Sequence, residues 1–136
     1  MRRALLILLM ILAAGCSKRQ RQAESFTPLP LGDHADGRKA FLDLKCWSCH
    51  EIYGGDMPRP VATPKMPVYL GGNAISAPPD IDLLNSIVDP SHTIAPGWDP
   101  ALTTSGTGSR MGDYSSAMTA RQLFDLIAFL KTRYGK

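Results

Sequence analysis

The clearest amphipathic pattern of the chain lies in its last twenty residues. Apolar side chains recur there at spacings of three, four and seven positions: Leu123, Leu126, Ile127 and Leu130. This is the period of one buried helix face. Just before it, Thr119-Ala120-Arg121-Gln122 predicts a capping box, because Thr and Gln side chains at that spacing can each accept from the other's backbone N–H. We therefore expect a helix that begins after Thr119.

The same reasoning predicts two earlier helices. The first is expected to begin near Asp36, which can cap it, and to run into residues 46–50, with Ala40, Phe41 and Leu44 at helical spacing. The second is expected at about Asp80–Val88, with Ile81, Leu84 and Val88 on one side, and to end before Pro90. The intervening stretches, 51–79 and 91–118, are rich in proline and glycine or lack periodicity, so we predict loops.

The pattern of the N-terminal segment predicts an export signal. Arg2 and Arg3 precede the apolar run Ala4–Leu12, which is too short to span a bilayer. The following Leu12-Ala13-Ala14-Gly15-Cys16 resembles the lipobox of bacterial lipoproteins, in which cleavage precedes the cysteine and its thiol receives lipid. The alternative is an ordinary secretory peptide with a chance cysteine.

The predicted domain organisation follows from this signal. We expect a signal peptide at 1–15, a lipidated Cys16 with a polar, Pro-containing tether at 16–33, and one domain at 34–136. Attached acyl chains would hold the protein at a membrane surface on the periplasmic side of a bacterial envelope, inner or outer membrane being undecided. Without Arg2 and Arg3, 13 basic residues face 12 acidic ones. This balance, with no basic stripe, argues against nucleic-acid binding.

The motif that carries chemistry is Cys46-Trp47-Ser48-Cys49-His50. Cys-x-x-Cys-His is the attachment signature of haem c, in which two thiols form thioethers with the haem vinyl groups and the histidine can ligate the iron. Cys16, Cys46 and Cys49 are the three cysteines, so lipid and haem account for all of them. The sequence thus predicts a single covalent haem, with Cys46, Cys49 and His50 as its attachment and ligand residues.

Three other interpretations of the motif are weaker. A thioredoxin-like redox pair would need a βαβ context, whereas the residues around Cys46 have a helical pattern. A zinc site would need a second pair of ligands, and His34 and His92 do not form one. Two buried thiols beside an incidental histidine are the remaining alternative.

Taken together, the chain resembles a class I cytochrome c over residues 36–134. The resemblance rests on Gly37–Phe41, the motif at 46–50, a methionine after a long Pro/Gly-rich stretch, and Asp125–Leu130. It implies an all-α fold in which the N-terminal and C-terminal helices cross around one covalent haem, with long Pro/Gly-rich loops. It also implies that Gly37 and Phe41 meet Leu126 and Phe129.

The resemblance also suggests the second axial ligand. Arg110-Met111-Gly112-Asp113-Tyr114, just before the last helix, resembles the ligand loop of the family, so Met111 is expected to bind the iron. Met118 and His92 are the alternatives. Gly112 stands where the family often has proline, which predicts a looser loop, since glycine loses more entropy on ordering. A proline carbonyl, Pro67 by preference, is expected to accept from the ring of His50.

These residues predict one-electron transfer by a membrane-tethered monohaem cytochrome c, with the protein itself no enzyme. Its expected partners are redox proteins that dock weakly, and the protein is expected to be a monomer or a complex subunit. Two alternatives stay open: a fixed haem subunit of a respiratory or oxidising membrane complex, and a ligand-binding or peroxidatic haem protein with a labile methionine.

Overall fold

The computed structural model describes residues 29–54, 56–59, 68–72, 76–94 and 99–135. Cys16 and most of the predicted tether lie outside the described residues. Four helices form the framework: α1 (His34–Asp43), α2 (Asp80–Val88), α3 (Pro100–Thr103) and α4 (Ala120–Lys131). Among the described residues, every helix is too short or too polar to cross a bilayer.

The crossing of α1 and α4 forms the centre of the core. Gly37 allows the two backbones to approach closely, since a Cβ at this position would lie 1.9 Å from the carbonyl oxygen of Asp125. Beside it, the rings of Phe41 and Phe129 meet with centroids 5.7 Å apart and a tilt of 53°. Leu126 is buried in the same cluster. The helix contact implied by the resemblance is therefore present.

Helix α1 begins two residues earlier than we expected, and Asp33 caps it instead of Asp36. The Asp33 carboxylate accepts the backbone N–H groups of Ala35 and Asp36. The backbone N–H of Asp33 also donates to the carboxylate of Asp125 at 2.7 Å, which joins the start of α1 to α4. The helix ends before the cysteine motif rather than running into it, because Lys45 adopts a left-handed conformation with φ 58°.

Helix α2 has the predicted bounds, but it buries a different face. Leu83 and Ile87 are the residues in the core, whereas Ile81 is 39% exposed. Leu84 and Val88 pack partly against the core from the flank. An ion pair between Asp80 and Lys131 joins the start of this helix to the end of α4.

Two small sheets occupy stretches that we predicted as loops. Strands β1 (His50–Ile52) and β2 (Val68–Leu70) pair in parallel, with His50 opposite Val68. Strands β3 (Thr104–Ser105) and β4 (Gly108–Ser109) form an antiparallel hairpin that directly precedes Met111. Strands of two or three residues are too short to show the alternation from which a strand is predicted.

Helix α4 confirms its sequence prediction. The Thr119 and Gln122 side chains form the expected capping box. The predicted apolar face is buried, together with Phe129: Leu123, Leu126, Ile127 and Leu130. Past the end of α4, the chain pairs with the residues that follow β2, because Gly72 N–H donates to Arg133 and Gly135 N–H donates to Gly72.

Candidate functional site

The Cys-x-x-Cys-His motif starts in a turn and ends in a strand. After the left-handed Lys45, Cys46–Ser48 form one turn of 3₁₀ helix, and His50 is the first residue of β1. This abrupt change places Cys46 partly buried and Cys49 exposed. Burial raises the pKa of the Cys46 thiol to about 11, so in the free chain this sulfur is held as the neutral thiol.

The His50 imidazole is oriented by the neighbouring strand. Its Nδ1 lies 3.3 Å from the backbone carbonyl oxygen of Val68, the residue opposite it in β2. Nδ1–H donating to this carbonyl leaves Nε2 as the free ligand nitrogen. Burial lowers the pKa of His50, which favours the neutral, ligating form. The carbonyl we expected, that of Pro67, lies outside the described residues, and its neighbour Val68 occupies the role.

The motif opens onto an apolar cavity with an empty volume of about 510 Å³, including the part open to solvent. Cys46 and His50 line it from one side, and Met111 lines it from a distant part of the chain. The rest of the lining comes from all the larger elements of the fold: Phe41, Leu70, Leu83, Ser86, Ile87, Tyr114, Met118, Leu126 and Leu130. An apolar lining in which few polar groups converge is typical of a cofactor site.

Two side chains of this lining, Ser86 and Tyr114, have hydroxyl groups, and both are uncharged. Ser86 donates its proton to the carbonyl oxygen of Asp82 within α2, at 2.8 Å. Burial raises the pKa of Tyr114, with smaller contributions from the charges of Cys46 and Cys49 in their free form, so the phenol stays neutral. The cavity therefore offers an apolar environment that contains the neutral imidazole of His50 and the thioether sulfurs of Met111 and Met118.

Met111 and its rivals differ in position. Met111 and Met118 both line the cavity. Met111 precedes Tyr114 in the chain, and Met118 follows it. His92 lies in an exposed turn after α2, outside the cavity lining. Met57 is buried in the hydrophobic core, and Met66 lies outside the described residues. His92 and Met57 therefore lie outside the described cavity lining, whereas Met118 lies in it beside Met111.

The residues present fit a covalent haem better than a metal ion. Within the described ranges, no group of three or more His, Cys, Asp or Glu side chains is close enough to hold a metal ion. A cytochrome site instead needs an apolar cavity, a histidine with its second nitrogen engaged, and two cysteines at the edge. Cys46 inside and Cys49 exposed match an edge that reaches the surface.

Sequence reasoning missed two contributions to this site. The backbone carbonyl of Val68 has no signal in the sequence, because any residue type could supply it. Leu83 and Ile87 line the cavity, whereas we expected α2 to bury Ile81, Leu84 and Val88. Arg110, in the predicted ligand loop, directs its Nε–H to the carbonyl of Thr104 at 2.9 Å.

Comparison with known proteins supports this assignment at the level of the family. A family model described as Cytochrome c matches residues 34–133, which is most of the chain. Searches of the curated proteins and of the solved structures found no match.

Proposed function

Because the chain belongs to the cytochrome c family and binds a covalent haem c, we propose that it transfers single electrons with His50 and Met111 as the two axial ligands. The haem supplies an iron that alternates between Fe(III) and Fe(II). With both axial positions taken by protein groups, the chain acts as a carrier and leaves catalysis to its partners.

The observation that carries this proposal is the convergence of His50 and Met111 on one apolar cavity. His50 reaches it from β1, and Met111 reaches it from the segment between β4 and α4. A thioether ligand favours ferrous iron, and an apolar surrounding disfavours the extra charge of ferric iron, so both raise the reduction potential. We therefore expect a potential well above that of a bis-histidine haem.

The surroundings also limit how much must rearrange when the charge of the site changes. Phe41, Leu126 and Leu130 line the cavity from the α1–α4 crossing, where they are held in a close-packed core. This wall is apolar, so it contributes few dipoles that must reorient with each electron. Electrons pass at the exposed edge near Cys49, where contact with partners is small and transient.

We further propose that Cys16 carries lipid and holds the domain on the periplasmic face of a bacterial membrane. The support is the basic, apolar and small-residue order of residues 2–15 ahead of this cysteine. Confinement to a surface would raise the effective concentration of membrane-bound partners. In a bacterium with lipoprotein processing, Cys16→Ser is expected to release a haem protein with an unchanged spectrum; continued membrane retention would contradict the anchor.

The axial ligand is tested by a matched pair of methionine variants. Met111→Ala should abolish the Met–iron charge-transfer band of the ferric protein and give a high-spin spectrum. Met118→Leu, which changes the other cavity methionine, should leave the band in place. The reverse result would make Met118 the ligand, and loss of the band in neither single variant would mean that neither methionine alone is the required ligand.

A second candidate function, a haem protein that binds small ligands, is favoured by one observation. Gly112 follows Met111 directly, and among the described residues no atom lies within 4 Å of where its Cβ would be, so packing by these residues does not stiffen the loop at this point. Carbon monoxide binding within seconds to the reduced protein at neutral pH would support this candidate. An unreactive reduced protein is the result we expect for an electron carrier.

A further inference from the structure

The backbone just before Met111 is held by a chain of hydroxyl groups. The backbone N–H of Met111 donates to the hydroxyl of Ser109 at 3.1 Å. The backbone N–H of Ser109 donates in turn to the hydroxyl of Ser91, also at 3.1 Å. Ser91 lies in the turn that follows α2, and α2 contributes Leu83 and Ile87 to the cavity. The network therefore ties Met111 to the helix that lines the cavity beside it.

Arg110 fixes the same stretch from the other direction. Its backbone N–H donates to the carbonyl of Thr103 at 2.8 Å, and its Nε–H donates to the carbonyl of Thr104 at 2.9 Å. The N–H groups of residues 109 and 110 thus bond to Ser91 and Thr103, outside the segment, and the N–H of Met111 bonds locally to the Ser109 side chain. Three consecutive N–H groups with fixed partners leave this stretch little freedom to shift.

Ser91 is closely matched to the hairpin that it holds. A Cβ at position 108 would lie 2.9 Å from the Ser91 hydroxyl oxygen and 3.8 Å from the Ser91 Cβ. Gly108 does not need a left-handed conformation, so its lack of a side chain serves this close approach alone. The glycine allows the serine hydroxyl to reach the backbone of Ser109.

We propose that Ser109 is a positioning residue for Met111 and that Ser91 keeps Ser109 in place. The inference rests on the proposed function, because it takes Met111 as the iron ligand. The two hydroxyl groups hold the loop on the N-terminal side of Met111. On its C-terminal side stands Gly112, which lacks the rigidity of the proline often found there in the family. They keep the methionine backbone in place, so that its thioether would be held toward the iron.

The test is competition between Met111 and imidazole for the ferric iron of the full-length holoprotein. Ser109→Ala removes the acceptor for the Met111 N–H, and we expect imidazole to bind about three- to tenfold more tightly, the range of one lost hydrogen bond. Ser109→Thr keeps a hydroxyl and should restore the affinity of the unmodified protein. Ser105→Ala removes an exposed hydroxyl from the same hairpin and should have no effect.

A second experiment tests the part played by Ser91. Gly108→Ala pushes against the Ser91 hydroxyl and should tighten imidazole binding, as should Ser91→Ala by itself. In the Ser91→Ala background the same glycine substitution meets only the Cβ at 3.8 Å, an ordinary contact, and should add nothing. Additive effects of the two changes would overturn the role of Ser91, because independent sites add and coupled ones do not.

The outcomes separate this inference from the function on which it rests. A Met–iron band in the unmodified protein, with imidazole affinity unchanged in Ser109→Ala, overturns the positioning role and leaves Met111 as the ligand. Lower resistance to denaturant in Ser109→Ala without a change in imidazole affinity also overturns it, since that is what a purely structural hydroxyl predicts. An unmodified protein without the band overturns both proposals.

Discussion

The α1–α4 crossing and the segment of residues 104–118, here called the Met111 segment, both line the cavity but are built differently. At the crossing, two backbones touch through Gly37 and two aromatic rings meet in a fully buried core. The Met111 segment has mostly exposed or partly exposed residues and is held by hydrogen bonds to hydroxyl, carbonyl and carboxylate groups.

The difference indicates that the two regions have separate roles: the crossing stabilises the domain, and the Met111 segment positions the methionine. Close packing gives large energies and tolerates no displacement, whereas exposed hydrogen bonds give small energies and set direction. Damage to the crossing should therefore lower the stability of the whole domain. Damage to the Met111 segment should change how firmly the methionine binds while the domain stays folded.

The largest expected effect follows from truncating Phe129. Phe129→Ala removes the ring that meets Phe41 and that also lies under the Arg133 guanidinium, 4.5 Å from its centroid. We expect the free energy of unfolding to fall by about 3–5 kcal/mol, measured by denaturant titration of the holoprotein. Tyr114→Ala, an aromatic truncation in the Met111 segment, should cost clearly less and alter the spectrum more; equal costs would remove the distinction between the regions.

A glycine substitution at the crossing should have the next largest effect. Gly37→Ala puts a Cβ 1.9 Å from the Asp125 carbonyl oxygen and 2.7 Å from the Phe129 Cβ, so α1 and α4 must move apart. Overpacking of this kind costs about 1–3 kcal/mol, measured as a lower denaturation midpoint at unchanged slope. An unchanged midpoint would show that the crossing can adjust.

Acid should lower the stability of the crossing by protonating Asp33, the cap of α1. Backbone N–H groups of Asp36 and Ala35 lower the pKa of Asp33 below its ordinary 3.8. A lowered pKa means that the carboxylate stabilises the fold above 3.8, and that this contribution fades as pH falls through the lower folded-state value. Asp33→Asn should therefore flatten the acid side of the curve of denaturation midpoint against pH.

The matched control for this cap lies in the Met111 segment. The side chain and backbone of Ser115 lower the pKa of Asp113 in the same direction. By the same linkage Asp113→Asn should flatten that curve, but less than Asp33→Asn, because the bond of Asp113 is to Ser115 within its own short turn. It should also shift the imidazole competition. If Asp113→Asn flattened the stability curve as much as Asp33→Asn, the two regions would not be energetically separate.

The smallest effect is expected from stiffening the Met111 segment. At Gly112 no atom of the residues that the structure describes lies within 4 Å of the added Cβ, and the residue does not have a positive φ. Gly112→Ala should raise the free energy of unfolding by about 0.4–1 kcal/mol, because the unfolded chain loses freedom. Imidazole should bind more weakly to this variant. Tighter imidazole binding would show that the loop needs the glycine to reach the iron.

The parts of the fold that side-chain patterns specify were predictable. Helix α4 has a full apolar period and a capping pair, so its start and buried face followed from the sequence. The close approach of α1 and α4 at Gly37 was predicted from the resemblance to class I cytochromes c. The match to the Cytochrome c family model confirms that resemblance. The identity of Met111 as the ligand stays a prediction that the methionine variants will test.

The parts that depend on backbone or on competition between similar residues were not predictable. Two aspartates stand near the start of α1, and only tertiary contact with Asp125 selects Asp33 as the cap. Helix α2 has apolar residues on more than one side, so its periodicity fits several faces. The support of His50 comes from a carbonyl in a strand of three residues, which leaves no compositional trace.

The pairing of Arg133 and Gly135 with Gly72 has a consequence for biogenesis. Gly72 comes just after the strand whose carbonyl orients His50, so that strand is held by residues that are made much later in synthesis. A chain still being synthesised exposes both thiols and the imidazole before this pairing exists. Thioether formation on such an open chain would precede the final orientation of the imidazole, which requires residues 133–135.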